Sequence, residues 1–231
     1  MKIGIMQPYF WPYLGYFQLI NEVDTFVIYD NIEYTKKGWI NRNRYLCNGK
    51  DKYFTIPIEK DSDFLDVRER FLASSYDRNK LKNQIGIAYR KAPYFEPTYN
   101  LFCKCIDYED INLFNYIFFS IKNLVEYLEI DTEIVISSTL KSDFEKKGKE
   151  KVISICKSLN GVEYINPVGG QKLYNKNEFL MNDIKLSFIQ MDKIEYKQFT
   201  DDFIPSMSIL DVLMFNDINK VKEDLKRYTL I

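Results

Sequence analysis

The sequence predicts an α/β fold: a parallel sheet in one domain spanning residues 1–231, with a helical insertion at about 65–130. Three observations predict it. A strand, a loop, a helix and a second strand fit into the first 30 residues, which is the opening of a βαβ unit. Helical stretches and short apolar strands alternate from there to the end of the chain. No low-complexity linker or internal repeat divides it. At 231 residues and 46% hydrophobic composition, the chain can bury a sizeable core.

Residues 2–6 form the first expected strand, apolar at Ile3, Ile5 and Met6. Pro8 and Pro12 restrict the backbone and make 7–12 a loop. Leu14, Phe17 and Ile20 share one helical face over 13–21, and 24–29 is a second strand ending at Asp30. If the two strands are parallel, the loop at 7–12 and the chain after Asp30 lie at the same carboxyl edge, where open α/β sheets bind ligands. Residues 31–50 read as a polar loop or hairpin with a turn at Asn48-Gly49-Lys50, followed by a strand over 53–58. Helices are expected over 78–91 and 99–108. The clearest helix is 112–129, where Leu113, Ile117, Ile121, Leu124 and Leu128 recur at steps of three and four. A strand at 133–137 follows it. Ser142 and Glu145 fit a capping box for a helix whose inner face carries Val152, Ile155, Cys156 and Leu159 and which ends at Asn160-Gly161. Strands at 163–165 and 184–190 come next, and Ser206 or Ser208 starts a last helical region interrupted near Asn216.

Composition excludes several kinds of chemistry. The chain has no histidine, which rules out a Ser-His-Asp triad, a Cys-His pair and any imidazole base. Acid–base work falls to carboxylates, Lys, Tyr, Cys or the substrate itself. With 32 basic and 33 acidic residues there is no broad positive field for wrapping nucleic acid. Cys47, Cys103, Cys105 and Cys156 have no metal-ligand spacing, so free thiols in a reducing compartment and no metal site are expected. No stretch reads as a signal peptide or a membrane span, and the expected location is cytoplasmic.

Three segments are candidates for the site. In the loop that begins at Gln7, the residues Tyr9, Trp11, Tyr13, Gly15 and Tyr16 either line a ligand site at a helix N-terminus or simply cover the end of the sheet. The segment 36–44 holds Lys36, Lys37, Arg42 and Arg44 with Asn41 and Asn43 and no acidic residue. It is either a compact receptor for phosphate or carboxylate or a solvated hairpin surface. Asn166, Gly169 and Gly170 follow a short strand and form either a tight turn or a loop whose amides meet a ligand. Asp30 is the leading candidate carboxylate, with Glu33 in reserve; Asp211 reads as a cap or helix-terminus charge.

The run Met6-Gln7-Pro8-Tyr9-Phe10-Trp11-Pro12-Tyr13-Leu14-Gly15-Tyr16, the Val27-Ile28-Tyr29-Asp30 strand end and Lys36-Lys37-Gly38-Trp39-Ile40-Asn41-Arg42-Asn43 together resemble the WbqC-like family. Tyr164 to Gly170 and Ser208 to Asn216 extend the resemblance over nearly the full length. It implies a transferase of bacterial surface-polysaccharide or nucleotide-sugar biosynthesis that moves an acyl or aminoacyl group, such as glycyl, to an amino sugar. The partner would be a phosphate-bearing small molecule of the nucleotide-sugar kind. The other substrate would be an activated acyl or aminoacyl donor, with a charged tRNA as the one nucleic acid in prospect. In that reading Asp30 receives a proton or orients the amine, Gln7 positions the acceptor, and Arg42 with Lys36 or Lys37 stabilises phosphate or oxyanion charge.

The stretch from Ile3 to Asp30 also resembles the Rossmann-like opening βαβ unit of nucleotidylyltransferases and class I aminoacyl-tRNA synthetases. Where those proteins start the first helix with His-x-Gly-His, this chain has Tyr13-Leu14-Gly15-Tyr16. Tyrosine has no cationic state, which turns the expectation away from nucleotidyl transfer and toward group transfer on a bound phosphate-bearing substrate. A nucleotidylyltransferase-like enzyme and a non-enzymatic nucleotide-sugar-binding or scaffold protein are the competing readings.

Overall fold

The computed structural model describes residues 1–141 and 146–231. The chain opens with β1 (Lys2–Met6), α1 (Leu14–Glu22) and β2 (Thr25–Ile28), as the apolar spacing predicts. A hairpin of β3 (Arg42–Cys47) and β4 (Lys50–Thr55) follows, then α2 (Arg78–Tyr89), α3 (Phe95–Ile106) and α4 (Leu113–Tyr127). The second half contains β5 (Glu133–Ile136), α5 (Gly148–Ser158), β6 (Glu163–Pro167), α6 (Lys176–Leu180) and β7 (Lys185–Met191). It closes with α7 (Ile209–Phe215), α8 (Ile218–Asp224) and β8 (Tyr228–Leu230). The Ser142 and Glu145 capping box lies outside the described residues. The helix it was expected to start begins at Gly148, after Lys147, which makes no side-chain cap.

Six strands form one sheet in the order β5-β2-β1-β6-β7-β8. Counted within the sheet alone, that order is 3-2-1-4-5-6. The chain builds outward from β1 through β2 to β5, then returns to lay β6 on the other side of β1. The wholly parallel sheet expected from the sequence is corrected at its last strand, because β8 runs antiparallel to β7 and the sheet is mixed. The reason is where the chain re-enters. Asp192 N at the end of β7 bonds to Arg227 O at 3.1 Å, so β8 starts at the carboxyl edge and has to run back. A short antiparallel edge on an otherwise parallel sheet is an ordinary arrangement.

Both faces of the sheet are covered, and the alternation along each strand decides which residue goes where. Phe26, Ile28 and Ile165 join the core that packs α1, α4 and α7 on one face. Ile3, Ile5, Val27, Tyr164 and Leu186 join the core with Val152, Ile155 and Cys156 of α5 on the other. A Cβ on Gly4 would come within 3.3 Å of Val23 and 3.4 Å of Leu19, so glycine lets the end of α1 sit close to β1.

The hairpin β3-β4 is a separate two-stranded sheet. Asn48 and Gly49 have φ of 52° and 70°, as a two-residue turn with left-handed centres requires. Its second strand starts at Lys50 instead of Tyr53, because the tight turn pairs Cys47 with Lys50. Only Phe54 of β4 is buried, so the strand carries no alternation to read.

Candidate functional site

A cavity of about 1110 Å³ opens over the carboxyl ends of β1, β2 and β6, where the strand order reverses. Gln7 from β1, Tyr29 and Asn31 from β2, and Asn166 from β6 enter its lining. Asp66 and Arg68, the first turn of α5, and Gly169, Gly170, Leu173 and Tyr174 complete the walls. Position, not residue type, brings most of these groups together: Gln7, Tyr29, Asn31 and Asn166 stand at the ends of neighbouring parallel strands, and Asp66 and Arg68 come from the segment that follows the β3-β4 hairpin.

Of the aromatic loop, Gln7, Tyr9 and Tyr13 line the cavity. Burial pushes the Tyr13 phenol up to about 12, and that of Tyr9 upward as well. Both are therefore neutral hydroxyls, able to donate to a ligand but not to serve as a base. Trp11 and Tyr16 are fully buried and lie outside the lining. The Tyr16 hydroxyl donates to Gln7 O at 3.0 Å, and the Trp11 ring meets Phe102 edge-on at 5.1 Å. Gly15 is buried on α1, and a Cβ there would stand 2.4 Å from the Tyr13 ring. Glycine at that position is what lets Tyr13 lie flat against the helix it precedes.

Trp11 has φ of 46°, a left-handed conformation that costs a bulky residue on the order of 1–3 kcal/mol. Its carbonyl accepts from Asn43 Nδ2 at 2.8 Å and from Ser208 Oγ at 2.6 Å, and Asn43 Nδ2 also reaches Phe10 O at 3.2 Å. Asn43 is thus a clamp on the loop. Replacing it with alanine leaves buried carbonyls short of donors and is expected to cost about 1–3 kcal/mol, read as a lower urea midpoint at unchanged slope.

The basic segment is largely committed to the protein itself. Asn41 donates to Ile56 O at 2.7 Å and accepts from the Tyr34 hydroxyl at 2.8 Å. The Arg42 guanidinium bonds to Gly38 O at 3.1 Å and to Lys37 O, and lies 4.7 Å over the Tyr53 ring. Arg44 reaches Pro205 O at 2.7 Å, Ser206 O at 2.6 Å and Asp51 at 3.1 Å. Lys36 pairs with Asp63 at 2.7 Å on the surface, and Lys37 is exposed. None of Lys36, Lys37, Asn41, Arg42 and Asn43 lines the cavity, whereas Trp39 within the segment and Glu33 and Thr35 just before it do.

Asp30 is buried beneath the cavity wall and is not in its lining. Its Oδ1 accepts from Ser138 N at 2.9 Å and lies 2.7 Å from Ser137 Oγ, and its Oδ2 accepts from Ser138 Oγ at 2.6 Å. It therefore holds the turn that follows β5. The next residue, Asn31, turns its carbonyl to Lys151 Nζ at 2.9 Å.

Lys151, Asp66 and Arg68 are the groups that sequence reasoning passed over. Lys151 is only 8% exposed, and its ammonium lies 4.8 Å over the Tyr29 ring. Desolvation pulls its pKa below the ordinary lysine value, against the opposing charges of Asp66 and Asp30. Desolvation likewise pushes the Asp66 carboxyl up, opposed first by Arg68, whose Nε is 3.4 Å from Asp66 Oδ2. One signal for Lys151 was present in the sequence: it precedes Val152 and stands four residues before Ile155, on the face read as apolar.

Asn166, Gly169 and Gly170 all line the cavity. Asn166 Oδ1 accepts from the buried Tyr164 hydroxyl at 3.1 Å. A Cβ on Gly170 would fall 1.9 Å from Asn166 Nδ2, so glycine there keeps the amide in place. Nothing stands within 4 Å of a Cβ on Gly169. Among the described residues, no helix is long and apolar enough to cross a membrane.

The family model described as the WbqC-like protein family matches residues 7–223, which contain every cavity-lining residue except Ile5 and Met6. The uncharacterized protein Rv1507c of Mycobacterium tuberculosis is 28% identical over 234 residues, covering 98% of this chain and 98% of its own. No solved structure matches the chain.

Proposed function

The chain belongs to the WbqC-like protein family, and from that premise we propose that it is a transferase of bacterial surface-polysaccharide or nucleotide-sugar biosynthesis, acylating or aminoacylating an amino sugar. The observation that carries this reading is one cavity bearing three neutral amides, a carboxylate with a raised pKa and a cationic wall. Its volume of about 1110 Å³ exceeds the roughly 300–1,000 Å³ usual for one small ligand, and so leaves space for an acceptor and a donor together.

The proposed roles follow from position. Gln7 and Asn166 hold the acceptor sugar. Lys151 and Arg68, with the N-terminus of α5 at Lys147 and Gly148, take phosphate or developing oxyanion charge. The amine nitrogen attacks the acyl carbon, and the C–N bond forms as the bond to the leaving group breaks. Asp66 accepts the amine proton and returns it to the leaving group. Asp30 acts through Asn31 and the Ser137–Thr139 turn as a positioning residue. The strand order supports a Rossmann-like framework in a single domain, with about 65–130 inserted between neighbouring strands of the sheet.

The test is incubation of the protein with nucleotide-linked amino sugars and with thioester or aminoacyl-tRNA donors, followed by mass spectrometry of the small molecules. A nucleotide sugar heavier by the acyl group supports the proposal. Exchange of labelled pyrophosphate into a nucleoside triphosphate, without acylation, would replace it with nucleotidyl transfer. Tight binding with no mass change across the donors would replace it with a binding protein.

A further inference from the structure

We infer that the mouth of this cavity is a nucleobase platform: Trp39 and Phe64 stack on the base of a nucleotide whose phosphates lie toward Lys151 and Arg68. This rests on reading the cavity as a phosphate site and adds a separate aromatic subsite to it. Both residues line the cavity although Trp39 is 39% and Phe64 81% exposed.

Each ring stands on an anchored support. Trp39 stacks on Tyr53 with ring centroids 6.2 Å apart and planes 29° from parallel, and the Arg42 guanidinium lies over that same Tyr53 ring. The segment 36–44 thus spends an arginine on steadying a tryptophan at the cavity mouth.

The loop carrying Phe64 is fixed at both ends. Arg70 donates to Ser62 O at 2.7 Å while its guanidinium lies 4.9 Å over the Tyr34 ring. Tyr34 N bonds to Leu65 O at 3.1 Å, Val67 N bonds to Ile32 O at 2.9 Å, and Lys36 pairs with Asp63 at 2.7 Å. The two loops therefore form one wall, with a large apolar ring left in water on each.

An exposed aromatic pair on a rigid wall suits a flat ligand with apolar faces. Phosphate gains nothing from it, and stacking is tolerant of which base is present. Lys151 enters the lining from α5 and not from these two loops, so a molecule with a base at one end and phosphate at the other matches both parts.

The test uses the tryptophans themselves. Trp11 and Trp39 are the two in the chain, and Trp11 is sealed in the core, so a ligand-induced change in emission reports on Trp39. The full chain is titrated with UDP, ADP and GDP, and with inorganic pyrophosphate, which has no base; calorimetry gives the affinities of the variants. At least one nucleoside diphosphate is expected to quench emission and bind about 10- to 100-fold more tightly than pyrophosphate. Trp39→Leu and Phe64→Ala should each weaken that nucleotide about 10-fold and leave pyrophosphate within about twofold. Because both rings are exposed, their circular dichroism spectra should be unchanged. Equal binding of pyrophosphate and every nucleotide, or equal weakening of both by Trp39→Leu, overturns the platform and leaves the phosphate site standing. Binding of none of the four overturns both.

Discussion

Lys151→Met is expected to lower the proposed acyl transfer by about 100-fold or more, the scale on which removing one preorganised charge-stabilising donor acts. The fold should tolerate the change. Methionine keeps an apolar stem of similar length, and the ammonium it removes is desolvated and sits in the first turn of α5, where the helix field opposes a cation. What is lost structurally is one hydrogen bond to Asn31 O and the ammonium's place over the Tyr29 ring, so unfolding free energy should fall by no more than about 2 kcal/mol. Steady-state assays beside thermal unfolding check both halves. Full activity in the variant would remove Lys151 from the machinery, and a collapse in stability would make its role structural.

The largest stability effect is expected away from the cavity, at Asp211. This carboxylate is 0% exposed and faces no cation at hydrogen-bonding distance among the described residues. It accepts from the Tyr89 hydroxyl at 2.6 Å, the Tyr196 hydroxyl at 2.7 Å and Gln198 Nε2 at 2.8 Å. The Tyr89 hydroxyl in turn accepts from Leu46 N at 2.7 Å, which ties α2, β3 and α7 through one residue. Asp211→Leu strands these buried donors and should cost about 3 kcal/mol or more, measured by denaturant unfolding.

The same residue gives the fold a pH dependence of definite sign. Burial raises the Asp211 pKa, and the three donors oppose this without reversing it. Above the ordinary carboxylate value of about 3.9 the unfolded chain has released a proton that the folded chain still holds. Stability therefore falls as pH rises through the interval between the two values, and the loss is complete above the folded one. Asp66, also raised, contributes with the same sign. Asp211→Asn should flatten this slope, leaving the part due to Asp66 and the opposite part due to Glu163, whose pKa is lowered; an unchanged slope would show that Asp211 does not titrate across the interval.

Much of the fold could be read because periodicity survives wherever one face is buried. α4 is such a case; β1 and β2, buried on both faces, could be read instead as short apolar runs bounded by polar residues and prolines. β8 could not: three residues, mostly exposed, carry no alternation, and their direction depends on where α8 delivers the chain. The site was legible in position more than in residues. Gln7, Tyr9, Tyr13, Asn166, Gly169 and Gly170 reach the cavity because the loops at strand ends converge there.

Asn41, Asn43, Arg42 and Arg44 have the chemistry of a receptor, but they spend it on backbone carbonyls of Ile56, Phe10, Trp11, Lys37, Gly38, Pro205 and Ser206. A polar side chain near a strand end can serve a ligand or the loop that would hold it, and residue type does not distinguish the two. Asp66 was passed over because 61–66 has no periodicity. Lys151 was passed over because one cation among apolar helix positions reads as a solvated neighbour of the core.

The most direct test of the central claim is a crystal structure of the full chain with uridine diphosphate bound. The diphosphate is expected inside the cavity, with an oxygen within about 3.2 Å of Lys151 Nζ or the Arg68 guanidinium. Diphosphate on the outer face of the β3-β4 hairpin at Arg42 and Arg44, with the cavity empty, would contradict it.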